Sequence, residues 1–271
     1  MRAKFFVHSF FILVIMTASL ASAALLEDDF STLDTDGTWT AFNTVGSYAP
    51  SIVFPDKLRL RVTNSNPGKR TLITSQANNL NPFNAALTMN LNNLSMSSAA
   101  PSGAGASMFF AIVGEQNADD ASLYYPAVEN FNTAGALALT VQLTSSGYQM
   151  EVFDYGTSVA SQSFALEGMP VDLAWIINGG ENTWSVEISG TTFSGGGTTQ
   201  AGTFANYTEG SVSRLSLGSI NYGGASGDFS DGTAYYLDAL DVLSAVPEPA
   251  SIGLWSISGV MMFALRYYRL L

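Results

Sequence analysis

The chain has 271 residues, of which only 12% are charged, a formal net charge of -12, no cysteine and one histidine, His8. With no Cys and its only His in the N-terminal segment, it excludes Cys nucleophiles, Ser-His-Asp triads, histidine general bases and the usual zinc sites. Between residues 24 and 245, six basic residues stand against twenty-one acidic ones, leaving -15, a field that repels nucleic acid and anionic lipid.

The first segment, MRAKFFVHSFFILVIMTASLASA, has the order of a secretory signal. Arg2 and Lys4 precede an apolar run, and Ala21-Ser22-Ala23 supplies the small-residue cleavage pattern, so the mature chain is expected to begin at Ala24. A first strand is expected over 25–30 in LLEDDFS, carrying Glu27, Asp28 and Asp29. Trp39, in the turn-like DGTWTAF, is a candidate exposed aromatic for stacking on a sugar ring. KLRLRVTN then alternates with period two, Leu58, Leu60 and Val62 on one face and Lys57, Arg59 and Arg61 on the other. A turn follows at Asn66-Pro67-Gly68.

The stretch 94–105, LSMSSAAPSGAG, reads as a mobile loop, and the apolar runs 107–113 and 136–143 read as central strands buried on both faces. Tyr124 and Tyr125 fall near turns between them and are candidate ligand contacts, as is Tyr222. YQMEVF, VDLAWII and TWSVEIS are alternating strands, with Trp175 and Trp184 on their core faces. Ser145-Ser146-Gly147, Asn178-Gly179-Gly180, Gly195-Gly196-Gly197 and Gly223-Gly224 punctuate them as turns. Together these predict about a dozen strands and an all-β jelly-roll sandwich, with an N-terminal signal helix and a C-terminal hydrophobic helix.

The carboxylate pattern bears on catalysis. Glycosidic hydrolysis needs two carboxylates facing one bond. Glu151 and Asp154 are the nearest to such a pair, but their odd spacing places them on opposite faces of a strand. No catalytic residue is therefore assigned. Aspartates gather again at Asp228, Asp231, Asp238 and Asp241. If the closing strand in AYYLDALDVL lies beside the first, Asp28 and Asp29 approach Asp238 and Asp241, and one structural Ca2+ would relieve their repulsion.

Finally, Val246-Pro247-Glu248-Pro249 breaks regular structure, residues 252–265 are apolar without a charge, and Arg266 and Arg269 follow. Residues 250–265 span roughly 24 Å as a helix against a bilayer core of about 30 Å, and the positive end stays cytoplasmic. This order of Pro247, Glu248 and Pro249, an apolar helix, and Arg266 with Arg269 resembles the PEP-CTERM sorting signal, although Tyr267 and Tyr268 interrupt its usual run of arginines. The resemblance implies a precursor held transiently in the inner membrane, recognised by an exosortase-type enzyme and passed to the cell surface or medium. The domain plan is thus 1–23 signal peptide, 24–245 sandwich and 246–271 sorting signal.

The middle is similar to concanavalin A-like, laminin-G-like jelly rolls. LLEDDFS matches their first strand, PVDLAWIINGGENTWSVEISG their long hairpin, and AYYLDALDVL their closing strand. The expected function is that of a non-catalytic surface or extracellular-matrix protein associated with exopolysaccharide. The alternatives are a carbohydrate-binding lectin-like module and, third, a secreted polysaccharide-acting enzyme.

Overall fold

The computed structural model describes residues 22–33, 37–43, 49–61, 70–77, 79–97, 106–114, 136–144, 146–155, 160–208, 213–222 and 234–245. The chain divides into two units, Ala24–Ser244 and one grouping Met1–Ala23 with Ala245–Leu271, almost all of the latter outside the described residues. Outside them too lie Ala21, Tyr124, Tyr125, Pro247, Glu248, Pro249, Arg266 and Arg269; Tyr222 is described only as backbone. No helix among the described residues is long and apolar enough to cross a membrane.

Every regular element described is a strand. In chain order they are β1 (Ser22–Asp28), β2 (Trp39–Asn43), β3 (Ser51–Val53), β4 (Lys57–Arg61), β5 (Arg70–Ser75), β6 (Leu87–Met96), β7 (Ala106–Gly114) and β8 (Ala136–Thr144). They continue with β9 (Gly147–Tyr155), β10 (Ala160–Leu166), β11 (Val171–Asn178), β12 (Thr183–Ser189), β13 (Thr199–Thr203), β14 (Arg214–Tyr222), β15 (Ala234–Leu237) and β16 (Ala239–Ala245). One sheet of nine strands runs β13-β12-β11-β6-β15-β4-β3, with β16 also beside β6 and β1 beside β16; the other, of seven, runs β10-β9-β8-β7-β14-β5-β2. Their facing sides share one core, an all-β two-layer sandwich.

Period-two patterning explains which face each strand buries. In β4, Leu58 and Leu60 enter the core while Lys57, Arg59 and Arg61 turn away. In β11 and β12 the inward sets are Val171, Leu173, Trp175 and Ile177, and Trp184, Val186 and Ile188. The strands β7 and β8 are buried on both sides, as their unbroken apolar runs demand. Phe109, Leu139 and Val141 join the central core, while Met108, Phe110, Ile112 and Ala138 join Leu72, Ala136 and Phe153 in a second cluster on the opposite face.

Three expectations are corrected. More strands form than foreseen, because short ones such as β3, and β13 with no large apolar residue, carry little sequence signal. The stretch 94–105, expected as a loop, opens as strand, since Leu94 is fully buried and β6 runs on to Met96; residues 98–105 lie outside the described residues. The closing strand is broken at Asp238, whose amide donates to Asn92 O at 3.0 Å. Its first half, β15, pairs with β4 and with Ser95 and Met96 of β6. Its second half, β16, runs beside residues 87–92 of β6 and pairs with β1. First and last strands are therefore neighbours.

Candidate functional site

That pairing of β1 with β16 builds an open depression of about 410 Å³ lined by Glu27, Asp28, Asp29, Ser31, Thr38 and Asp241, among others. Of the four aspartates expected around a Ca2+, Asp28, Asp29 and Asp241 line this depression and Asp238 does not; Asp228 and Asp231 lie outside the described residues. Asp238 Oδ1 lies 2.6 Å from Lys57 Nζ, and Asn93 Nδ2 donates to its Oδ2 at 2.7 Å. A residue placed between β15 and β16 reaches the cation that opens β4, so its charge is compensated locally.

The roles of the other carboxylates differ. Asp28 is structural: the Trp39 indole N–H donates to Oδ2 at 2.5 Å and the Phe30 amide to Oδ1 at 2.7 Å. Asp29 is exposed, and the Ser31 amide at 3.0 Å, helped by the Ser31 hydroxyl, holds its carboxyl below the usual value. Asp241 is half-buried, with Asn92 Nδ2 at 3.4 Å from Oδ2. Among the described residues no three carboxylate, His or Cys side chains converge closely enough to hold a metal ion. With Asp238 committed to Lys57 and Asn93, the four aspartates expected to share a Ca2+ do not come together at one point.

The candidate aromatics separate as well. Trp39 is 0% exposed and packs against Phe30 with ring centroids 6.4 Å apart, so it is a core residue and offers no face to a sugar. Trp175 and Trp184 are buried, as their strand positions require.

Glu151 and Asp154 project to opposite faces of β9, but neither is a plain surface carboxylate. Glu151 is half-buried and held by Gln142 Nε2; burial pushes its carboxyl up, and the hydrogen bonds from Gln142 and Ser163 oppose that. Gln149 Nε2 donates to Ser163 Oγ beside it, so the outer side of β8, β9 and β10 carries a polar ladder. Asp154 is only 7% exposed and has a structural use that its sequence neighbours do not show. It accepts from the backbone amides of Ala205 (2.7 Å), Asn206 (2.9 Å) and Tyr207 (2.7 Å), and from Asn206 Nδ2 (3.1 Å). Nothing local announces this, because its partners lie about fifty residues downstream. The two carboxylates share no site and cannot flank one glycosidic bond.

What remains in the depression is a set of acceptors, Glu27, Asp29 and Asp241, beside the hydroxyls of Ser31, Thr32 and Thr38. These groups can exchange hydrogen bonds with a polyhydroxylated ligand. They include no nucleophile paired with a base.

No family model and no curated protein matches this sequence. Solved structures match its fold. Basic winged bean lectin with Tn-antigen superposes at a TM-score of 0.55 and 11% identity, covering 84% of this chain and 100% of that one. Winged bean acidic lectin complexed with methyl-alpha-D-galactose gives 0.54 at 9% identity, with 84% and 100% covered. The potassium-bound carbohydrate recognition domain of Emp46p gives 0.52 at 11%, with 81% and 95% covered. These likenesses show the fold class: a jelly-roll β-sandwich, the fold that these lectins also have.

Proposed function

We propose that this chain is a non-catalytic, lectin-like carbohydrate-binding protein. The observation that carries the reading is the depression between β1 and β16, where carboxylates and hydroxyls surround an open space of about 410 Å³. The solved structures that share the fold include a lectin complexed with methyl-alpha-D-galactose and one with Tn-antigen, which supports a sugar as the ligand class. A glycan array should find a neutral glycan bound by the protein spanning residues 24–245, equally in Ca2+ and in chelator. Glu27→Gln with Asp241→Asn should weaken that binding tenfold or more, since a hydrogen bond to a charged group contributes about 1.5–3 kcal/mol and a neutral amide restores only part of each. Full binding by the double variant would remove the depression as the site. An empty array would leave a purely architectural role in the extracellular matrix.

The protein is proposed to act outside the cell. Ala21-Ser22-Ala23 supports cleavage before Ala24, and Pro247-Glu248-Pro249, the apolar run and Arg266 with Arg269 support exosortase-type processing at the membrane. Intact mass of protein released from the native host without detergent should lack both ends. A mass that includes residues 252–271 would sink the sorting reading.

A further inference from the structure

The depression between β1 and β16 does not end at β16. Ala239 and Asp241 line it there, both outward because Leu240 and Val242 enter the core. In register, Ala239 stands opposite Asn92 of β6 and Asp241 opposite Asn90. Asn90 stands opposite Ala174 of β11, and Ala174 opposite Glu187 of β12. Leu91, Leu173 and Val186 are buried in the core beside these positions, so the row lies on the outer face of the nine-stranded sheet. There the sheet carries a second depression, of about 190 Å³, lined by Asn90, Asn92, Asp172, Ala174, Glu187 and Ser189 among others. Asn92 Nδ2, 3.4 Å from Asp241 Oδ2, joins the rim of one depression to the rim of the other.

The groups of the second depression divide by use. Asp172 is held in place: it accepts from the Asn93 amide at 2.6 Å and from Ser189 Oγ at 3.2 Å. Among the described residues, the side chains of Asn90 and Glu187 have no hydrogen-bond partner. An uncommitted amide and an uncommitted carboxylate therefore stand on either side of Ala174, whose methyl group leaves a low floor between them.

We propose that the two depressions are subsites of one trench, which takes a linear, neutral glycan laid across the strands from β1 to β12. The proposal rests on the reading of the first depression as a sugar site. Four inter-strand steps of about 4.8 Å make the trench about 19 Å long, room for about four sugar rings at about 5 Å each. Sugar hydroxyls donate and accept; Asp241 and Glu187 accept from them, and the Asn90 amide does either. Glu27, Asp29, Asp241, Asp172 and Glu187 mark the trench with negative charge from end to end, which disfavours uronic or sulfated chains. Among the described residues lining it there is no aromatic ring, so affinity comes from hydrogen bonds spread over several sugars, and one ring alone meets few of them.

The test is calorimetry on the full chain with two sets of neutral oligosaccharides, β-1,4-linked galactose and β-1,4-linked glucose, each from monosaccharide to hexasaccharide, and with tetragalacturonate. For at least one set, affinity should rise about tenfold from disaccharide to tetrasaccharide, about 1.4 kcal/mol, and then level off. Tetragalacturonate should bind more weakly than the neutral tetrasaccharide. Asn90→Ala with Glu187→Ala should remove the gain with length and leave monosaccharide affinity unchanged. Ala174→Gln, which raises the floor, should do the same, and an unchanged melting temperature shows that neither variant acts through folding. A monosaccharide bound as tightly as its tetrasaccharide overturns the trench. If Glu27→Gln with Asp241→Asn still weakens that monosaccharide, the first depression stands as a sugar site without it. Full tetrasaccharide affinity in both trench variants overturns the proposal too. Binding of neither set also overturns it, and the glycan array then decides the reading on which it rests.

Discussion

Asp154→Ala is expected to destabilise the domain by about 3 kcal/mol or more. The carboxylate is buried and both its oxygens accept hydrogen bonds, so the substitution strands the amides of Ala205, Asn206 and Tyr207. The effect should spread beyond those bonds. The pinned segment presents Phe204 and Tyr207 to Phe83, with ring centroids 6.2 and 5.3 Å from it, and to each other at 5.6 Å. Asp154→Asn should cost nearly as much, because its NH2 would face an amide N–H where an oxygen now accepts. Urea unfolding gives the free energy. Tyr207 supplies a local readout: burial raises its phenol to about 12, and in the variant it should titrate closer to 10. An unchanged urea midpoint would mean that this carboxylate is not what holds the segment.

Gly218→Ala is expected to cost about 2–3 kcal/mol, the upper part of the range for overpacking a filled site. Gly218 lies in β14 between Phe110 of β7 and Leu72 of β5. A methyl group there would sit 2.3 Å from Phe110 Cζ, 2.7 Å from Thr71 O and 2.8 Å from Leu72 Cβ. The Phe110 ring can rotate away, but the carbonyl of Thr71 belongs to the neighbouring strand and cannot move without loosening the ladder. The pair Gly218→Ala with Phe110→Ala should therefore fail to recover the stability lost by the glycine variant alone. Recovery in the double variant would show that only the ring clash matters.

The parts of this fold that were legible are those whose signal is local. The alternation in β4, β9, β11 and β12 assigned Leu58, Met150, Trp175 and Val186 to the core because each strand has one wet side. The continuous apolar runs of β7 and β8 were legible because both their faces are dry. The neighbouring first and last strands followed from the resemblance. What stayed hidden depends on residues far apart in the chain. Trp39 looked exposed in a Gly- and Thr-rich context, yet Phe30 and Asp28 enclose it. Asp238 looked like a candidate cation ligand until Lys57, on another strand, proved to be its partner. A polar side chain's sequence neighbours say what it is, but its use is settled by what the register brings opposite it.

The union of β1 with β16, and of both flanks of β6 with strands formed much later, also sets an order of events in time. A chain emerging from its N-terminus presents β1 and β6 long before their partners β15 and β16 exist. The seven-stranded sheet suffers the same delay, since β14 must arrive between β7 and β5. Such distant pairings slow folding, because loop closure must precede the contacts that reward it. The pairings of β1 with β16 and of β16 with β6 therefore cannot form until the last strand has been delivered. A polypeptide stopped before Ala239 would keep β1 and one flank of β6 as bare strand edges, the form in which β proteins join one another by mistake.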